Sequence, residues 1–127
     1  MKFTPIEPPR VFDVGAGKKI RIKDCARIEL QPDEQVTFVV ESGGEYDVAR
    51  KSWGFYATPS LNGRLASFGW RAALVKNSSG KFYVFLVEQG KESDFQAYIG
   101  SEEQVVICWL SSDDELGALE GRMSGRS

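Results

Sequence analysis

Apolar side chains recur at every second position through most of this chain. That spacing restricts it to strands with one buried and one wetted face. Over residues 19–23 polar side chains alternate with Ile20 and Ile22, and over 25–30 Ala26, Ile28 and Leu30 continue along one face. Gln31-Pro32-Asp33-Glu34 reads as a turn, after which Val36, Phe38 and Val40 form the inward face of the next strand. Ser42-Gly43-Gly44 makes a further turn. Strands are then expected over 52–57 and 64–75, joined by residues 59–63. Asn77-Ser78-Ser79-Gly80 reads as a hairpin loop, and the return strand over 82–88 is almost wholly apolar. Such a run fits a strand covered on both faces, or one whose outer face meets a partner.

One helix is expected, over 91–99, where Phe95, Tyr98 and Ile99 fall at i, i+3 and i+4 and Gly100 is placed to stop it. The same segment also alternates as Phe95, Ala97 and Ile99. A last buried strand is expected over 105–110. From Ser111 the chain becomes acidic and then Gly-rich, so 113–127 reads as a flexible tail, mobile from Leu116 onward. These signals predict a single β-domain over 1–112, an antiparallel sandwich or jelly-roll-like barrel with at most one short helix.

Composition removes several function classes. The 127 residues carry a net charge of -2, too little positive charge for a general nucleic-acid binder. There is no histidine, which excludes Ser-His and Cys-His nucleophile pairs and every histidine-based metal site. No cofactor, metal ligand or catalytic residue is assigned on this basis. The two cysteines, Cys25 and Cys108, belong to no C-x-x-C pair and read as reduced thiols. The first ten residues hold Pro5, Pro8 and Pro9 and no apolar signal-peptide stretch, and no run approaches the length of a membrane span. A cytoplasmic location without a membrane partner is the expectation.

The candidate site lies in residues 50–81, which carry six cations, Arg50, Lys51, Arg64, Arg71, Lys76 and Lys81, and no carboxylate. Five aromatics, Trp53, Phe55, Tyr56, Phe68 and Trp70, sit among them. Aromatic faces stack on sugars or bases, and arginine grips phosphate or carboxylate in a bidentate fork. Trp53, Tyr56 and Trp70 are therefore the candidates to stack on a ligand, Arg64 and Arg71 to hold its anionic group, and Asn62 to bond its hydroxyls. Strand alternation places Trp53 and Phe55 on one face and Tyr56 on the other, so the three stacking candidates are not expected to share a face. The competing reading is that the aromatics are core and the cations a solvated surface.

Other motifs carry less. Gly15-Ala16-Gly17-Lys18-Lys19 lacks the spacing of a phosphate loop and precedes a strand. Ser78 and Lys81 have the S-x-x-K spacing but fall on a hairpin tip instead of a helical turn. Glu41, Glu45 and Asp47 surround the Gly43-Gly44 turn and read as solvated charge.

The run KSWGFYATPSLNGRL over 51–65, continuing through Phe68-Gly69-Trp70-Arg71, Leu74-Val75-Lys76-Asn77, Gly80-Lys81-Phe82-Tyr83-Val84 and towards Trp109-Leu110, resembles small uncharacterised bacterial proteins associated with surface-polysaccharide biosynthesis. The resemblance implies a sugar-related context, such as nucleotide-sugar or glycan handling. The β pattern is also similar to that of cupins, in which histidines and a glutamate hold a metal. Without histidines, a cupin-like shape here is a metal-free one. The expectation is thus a non-enzymatic or accessory β-domain that binds an anionic sugar or nucleotide-sugar ligand. The alternatives are a protein–protein interaction subunit, as a homodimer or beside a partner enzyme, and a histidine-free sugar isomerase or lyase.

Overall fold

The computed structural model describes residues 1–125; Arg126 and Ser127, the end of the expected tail, lie outside the described residues. The chain is mainly β, with 8 strands in three antiparallel sheets and 3 helices, and no closed barrel forms among the described residues. The strands are β1 (Lys2–Val14), β2 (Ile20–Glu29), β3 (Gln35–Val39), β4 (Glu45–Lys51), β5 (Gly54–Ala57), β6 (Trp70–Lys76), β7 (Phe82–Glu88) and β8 (Val105–Trp109). The helices are α1 (Arg64–Ser67), α2 (Glu92–Ser101) and α3 (Asp113–Ser124), and a short 3-10 turn covers Ala16–Lys18. The sheets have strand orders β1-β2, β3-β4-β5 and β7-β6-β8. The 1–112 region read from sequence as one β-domain contributes to two compact units. The first comprises Met1–Thr37 and Asp47–Thr58, the second Phe38–Tyr46 and Pro59–Ser127.

In the first unit, β1 and β2 form a long antiparallel ribbon, with Phe3 opposite Ile28 at one end and Val14 opposite Ile20 at the other. The proline-rich start is a strand because the register breaks between Pro5 and Arg10. That irregularity takes Pro8 and Pro9 out of the ladder, where a missing N–H would cost a bond. The segment after β2 is tied to β4 through backbone bonds from Asp33 N to Arg50 O (2.7 Å) and from Arg50 N to Glu34 O (2.9 Å). Leu30 and Ala49 are the buried apolar residues here. Asp47, buried at the start of this β4 segment, accepts from the Thr37 hydroxyl at 2.7 Å.

The second unit holds the larger core. Ala73, Val75, Val87, Phe95 and Ile99 are buried together, with Phe85, Val106 and Trp109 packed around them. Phe95 meets Phe85 edge-on at 5.9 Å and Trp109 edge-on at 5.6 Å, the T-shaped arrangement that aromatic quadrupoles favour. The i, i+3, i+4 spacing does produce α2, which delivers Phe95 and Ile99 onto the sheet. The helix runs through Gly100 to Ser101, and the residue in the left-handed region is Glu103 instead (φ 57).

The elements depart from the expectation of at most one short helix, since α1 and α3 form beside α2, and β1 and β4 fall where no strand was read. Residues 64–67 form the helical turn α1, not the start of a strand, and β6 begins at Trp70. Leu65 from this turn is almost fully buried, and Gly69 (φ 90) lets the chain reverse into β6. The acidic segment read as a flexible tail forms α3. Ser112 Oγ accepts from Glu115 N at 3.0 Å while the Glu115 carboxylate accepts from Ser112 N at 2.9 Å. This reciprocal capping box satisfies the first free N–H groups of the helix.

Candidate functional site

In the first unit a cleft of about 430 Å³ is lined by Lys2, Thr4, Arg27, Ile28, Glu29, Leu30, Arg50 and Phe55. The strand register explains how they meet. Lys2 lies opposite Glu29 and Thr4 opposite Arg27 across the β1–β2 ribbon, so these four side chains share one face. In the β4–β5 hairpin Arg50 lies opposite Phe55, and alternation puts that pair on a common face as well. The cleft therefore carries three cations and one carboxylate beside an aromatic ring that is 62% exposed.

Arg50 is braced. Its Nε donates to Lys51 O and its Nη1 to Leu30 O, both at 2.8 Å. These bonds use two of the five guanidinium N–H donors and hold the group in place before any ligand arrives. Neighbouring Lys51 pairs with Asp33, and the bond from that carboxylate raises the lysine pKa. Glu34 is held below the ordinary carboxylate range, first by the backbone N–H of Gln31, which donates to it at 2.8 Å.

The other side of the same hairpin carries an exposed aromatic pair. Trp53 and Tyr56 stack with ring centroids 6.1 Å apart and planes at 29°. Trp53 is 70% exposed and Tyr56 47%. Alternation had separated these two side chains. The structure joins them because Ser52 and Trp53 form the two-residue turn and lie outside the strand, so the indole is free of the pleat.

The remaining sequence candidates are in the second unit, each with a partner. Asn62 Nδ2 donates to Asp113 Oδ1 at 2.8 Å, beside the start of α3. The Arg64 guanidinium lies over the Phe68 ring at 5.3 Å. Trp70 Nε1 donates to Glu45 O at 2.9 Å. Arg71 sits 4.0 Å over the Trp109 ring and pairs with Glu115 at 3.5 Å. Glu115 is held below the usual range chiefly by the backbone N–H of Ser112, with Arg71 as a lesser contributor. Candidates for stacking and anion binding thus fall into two groups. Trp53 and Tyr56 are open to solvent, whereas Arg71 and Trp70 are half-buried and tied into the second unit.

A groove of about 380 Å³ in the second unit is lined by Ser42, Gly43, Gly44, Ser67, Phe68, Gly69, Glu88 and Gln89. Its one ionisable group is Glu88, which accepts from Ser42 Oγ at 3.0 Å, so it offers no cation to an anionic ligand. Ser78 and Lys81 lie on the β6–β7 loop, where Asn77 Oδ1 accepts from Ser79 N and Lys81 N. Among the described residues no three Cys, Asp or Glu side chains gather as a metal site, and no helix is long and apolar enough to cross a membrane.

None of the six residues singled out from sequence, Trp53, Tyr56, Asn62, Arg64, Trp70 and Arg71, lines the first-unit cleft, and its cations Lys2 and Arg27 were missed altogether. They lie 25 positions apart, and only the pairing of β1 with β2 brings them to one face. The positive alternation Arg21, Lys23, Arg27 along β2 was the available signal. No protein-family model, curated protein or solved structure matches this chain.

Proposed function

We propose that this protein is a non-enzymatic or accessory β-domain that binds an anionic sugar or nucleotide-sugar ligand in the cleft of its first unit. The observation that carries this reading is the set of three cations, Lys2, Arg27 and Arg50, converging with Phe55 on one cleft of about 430 Å³. That volume lies within the usual range for small-ligand sites. In this reading Lys2, Arg27 and the unused donors of Arg50 take the phosphate or uronate, and Phe55 lies against the ring. Thr4 and Glu29 bond hydroxyls, a role suited to a carboxylate that faces a polyol.

The resemblance to proteins of surface-polysaccharide biosynthesis favours a sugar over other anions. The sandwich-like arrangement expected from the strand pattern, and a cytoplasmic setting in which Cys25 and Cys108 stay reduced, belong to the same proposal.

The test is a thermal-shift screen against nucleotide sugars, sugar phosphates and acidic oligosaccharides at low and moderate salt. A ligand at about 100 times its dissociation constant adds roughly 2.7 kcal/mol to the folded state. The expected hit is salt-sensitive, weakened by Arg27→Ala and unaffected by Arg71→Ala. Silence across the panel, or a hit indifferent to Arg27, overturns the proposal.

A further inference from the structure

Opposite the face that lines the cleft, the β1–β2 ribbon presents an apolar face. Phe12 and Ile22 are cross-strand partners on it and are 38% and 42% exposed; Phe3, further along the same face, is 57% exposed. Among the described residues of its unit, the ribbon's main contacts are between its own two strands, with a smaller contact of β1 on the Ala16–Lys18 turn. Two-stranded ribbons are marginal in water without a covering layer. A face of this composition on one demands an occupant.

The charge pattern identifies the occupant. Between the Phe12–Ile22 end and the Phe3 end lies one ion pair, Arg10 to Asp24 at 3.1 Å, formed by directly opposed residues of the two strands. Arg10 also lies 5.2 Å over the Phe12 ring, which places it on the same face. The face therefore reads apolar, then a plus beside a minus, then apolar. This pattern is its own complement. A two-fold axis through the ion pair sets each Arg10 against the Asp24 of the other copy and apolar surface against apolar surface, as an isologous contact requires.

We propose that the β1–β2 ribbon is a homodimer interface in which two copies stack these faces around a paired Arg10–Asp24 centre. A strand of 13 residues gives a face about 40 Å long and about 10 Å wide, on the order of 400 Å² per copy. That is about half the standard contribution of one partner, so the dimer is weak and concentration-dependent. The polar cleft residues Lys2, Thr4, Arg27 and Glu29 project from the opposite face. Of the cleft lining in the ribbon only Ile28, the partner of Phe3, falls by alternation on the dimer face, so dimerisation leaves the polar groups of the site free on each copy.

The test is sedimentation of the full chain from low-micromolar to near-millimolar protein. Wild type is expected to pass from monomer to dimer, and Ile22→Lys to stay monomeric with a native circular-dichroism spectrum. Arg10→Glu sets like charges at the centre and is expected to abolish the dimer. The exchange R10E/D24R reverses the pair and is expected to restore the dimer, while a native circular-dichroism spectrum of the Arg10→Glu monomer separates loss of the contact between copies from loss of the ribbon. A wild type that is monomeric throughout overturns the proposal. So does a dimer untouched by these changes but broken by Val84→Lys, which points to the open face of the β7-β6-β8 sheet.

Discussion

Arg71 separates the structural account from a reading based on residue type alone. As an anion-binding residue it should matter to ligand affinity and little to stability; its contacts lead us to expect the reverse. Its guanidinium stacks 4.0 Å over Trp109 and pairs with Glu115 at 3.5 Å, with the two side chains 32% and 30% exposed. A cation–π contact of this kind contributes about 1 kcal/mol. A partly exposed ion pair adds about 0.5 kcal/mol. Loss of the packed aliphatic stem brings the cost of Arg71→Ala to roughly 1.5–2 kcal/mol, a fall in Tm of roughly 5–8 °C. Urea denaturation should show a lower midpoint at an unchanged m-value.

The pH dependence adds a sign. The Glu115 pKa is lowered in the folded state, so its contribution is present above the ordinary carboxylate range and lost as pH falls through the folded value. The gap between wild type and Arg71→Ala should therefore narrow in acid, leaving the cation–π part. An Arg71→Ala protein of unchanged stability that has lost ligand binding refutes this reasoning.

Three further outcomes follow from the packing. Phe95→Ala removes the ring that meets both Phe85 and Trp109 and should cost about 3–5 kcal/mol, read as a large drop in denaturation midpoint. Gly44→Ala sets two effects against each other. An open Gly→Ala change gains about 0.4–1 kcal/mol. Here, however, the new Cβ falls 2.9 Å from Trp70 Cζ2, on a ring anchored through Nε1, so a net loss of about 1–2 kcal/mol is expected and a raised melting temperature contradicts it. Glu34 and Glu115 both have lowered pKa values, so stability should decline as pH drops below the ordinary carboxylate range, and Glu34→Gln should flatten that decline in a pH series of melts.

The parts of the fold legible from sequence are those governed by local periodicity. Alternation marked β2 and β3, continuous apolar runs marked β7 and β8, and the i, i+3, i+4 spacing of Phe95, Tyr98 and Ile99 marked α2. Where local signals competed, the reading failed. No strand was read over residues 2–14, where a break in register between Pro5 and Arg10 accommodates β1. Acidic residues after Ser111 read as solubilising charge, although Ser112-Asp113-Asp114-Glu115 has the S-x-x-E spacing of a capping box and starts α3.

The site was harder to read for a physical reason. Charge and aromatic content marked the 50–81 block, but the residues singled out in it, Trp53, Tyr56, Asn62, Arg64, Trp70 and Arg71, do not line the cleft, whereas Arg50 and Phe55, given no role of their own, do. The cations that complete the cleft, Lys2 and Arg27, come from a ribbon remote in sequence and joined only by strand pairing. Trp70 and Arg71 share the composition of the hairpin, but their partners, Glu45 and Trp109, tie them into the second unit, while Arg64 lies over Phe68 and stays exposed. Composition cannot distinguish a cation that grips a ligand from one that covers a tryptophan.

The central claim is that the ligand occupies the cleft of the first unit. A titration of the isotopically labelled protein with a sugar phosphate or nucleotide sugar, followed by amide chemical shifts, tests it most directly. The account predicts saturable shifts at Lys2, Thr4, residues 27–30, Arg50 and Phe55, while Arg71 and Trp109 stay fixed. Shifts centred on residues 64–71 that leave the ribbon amides unmoved contradict it.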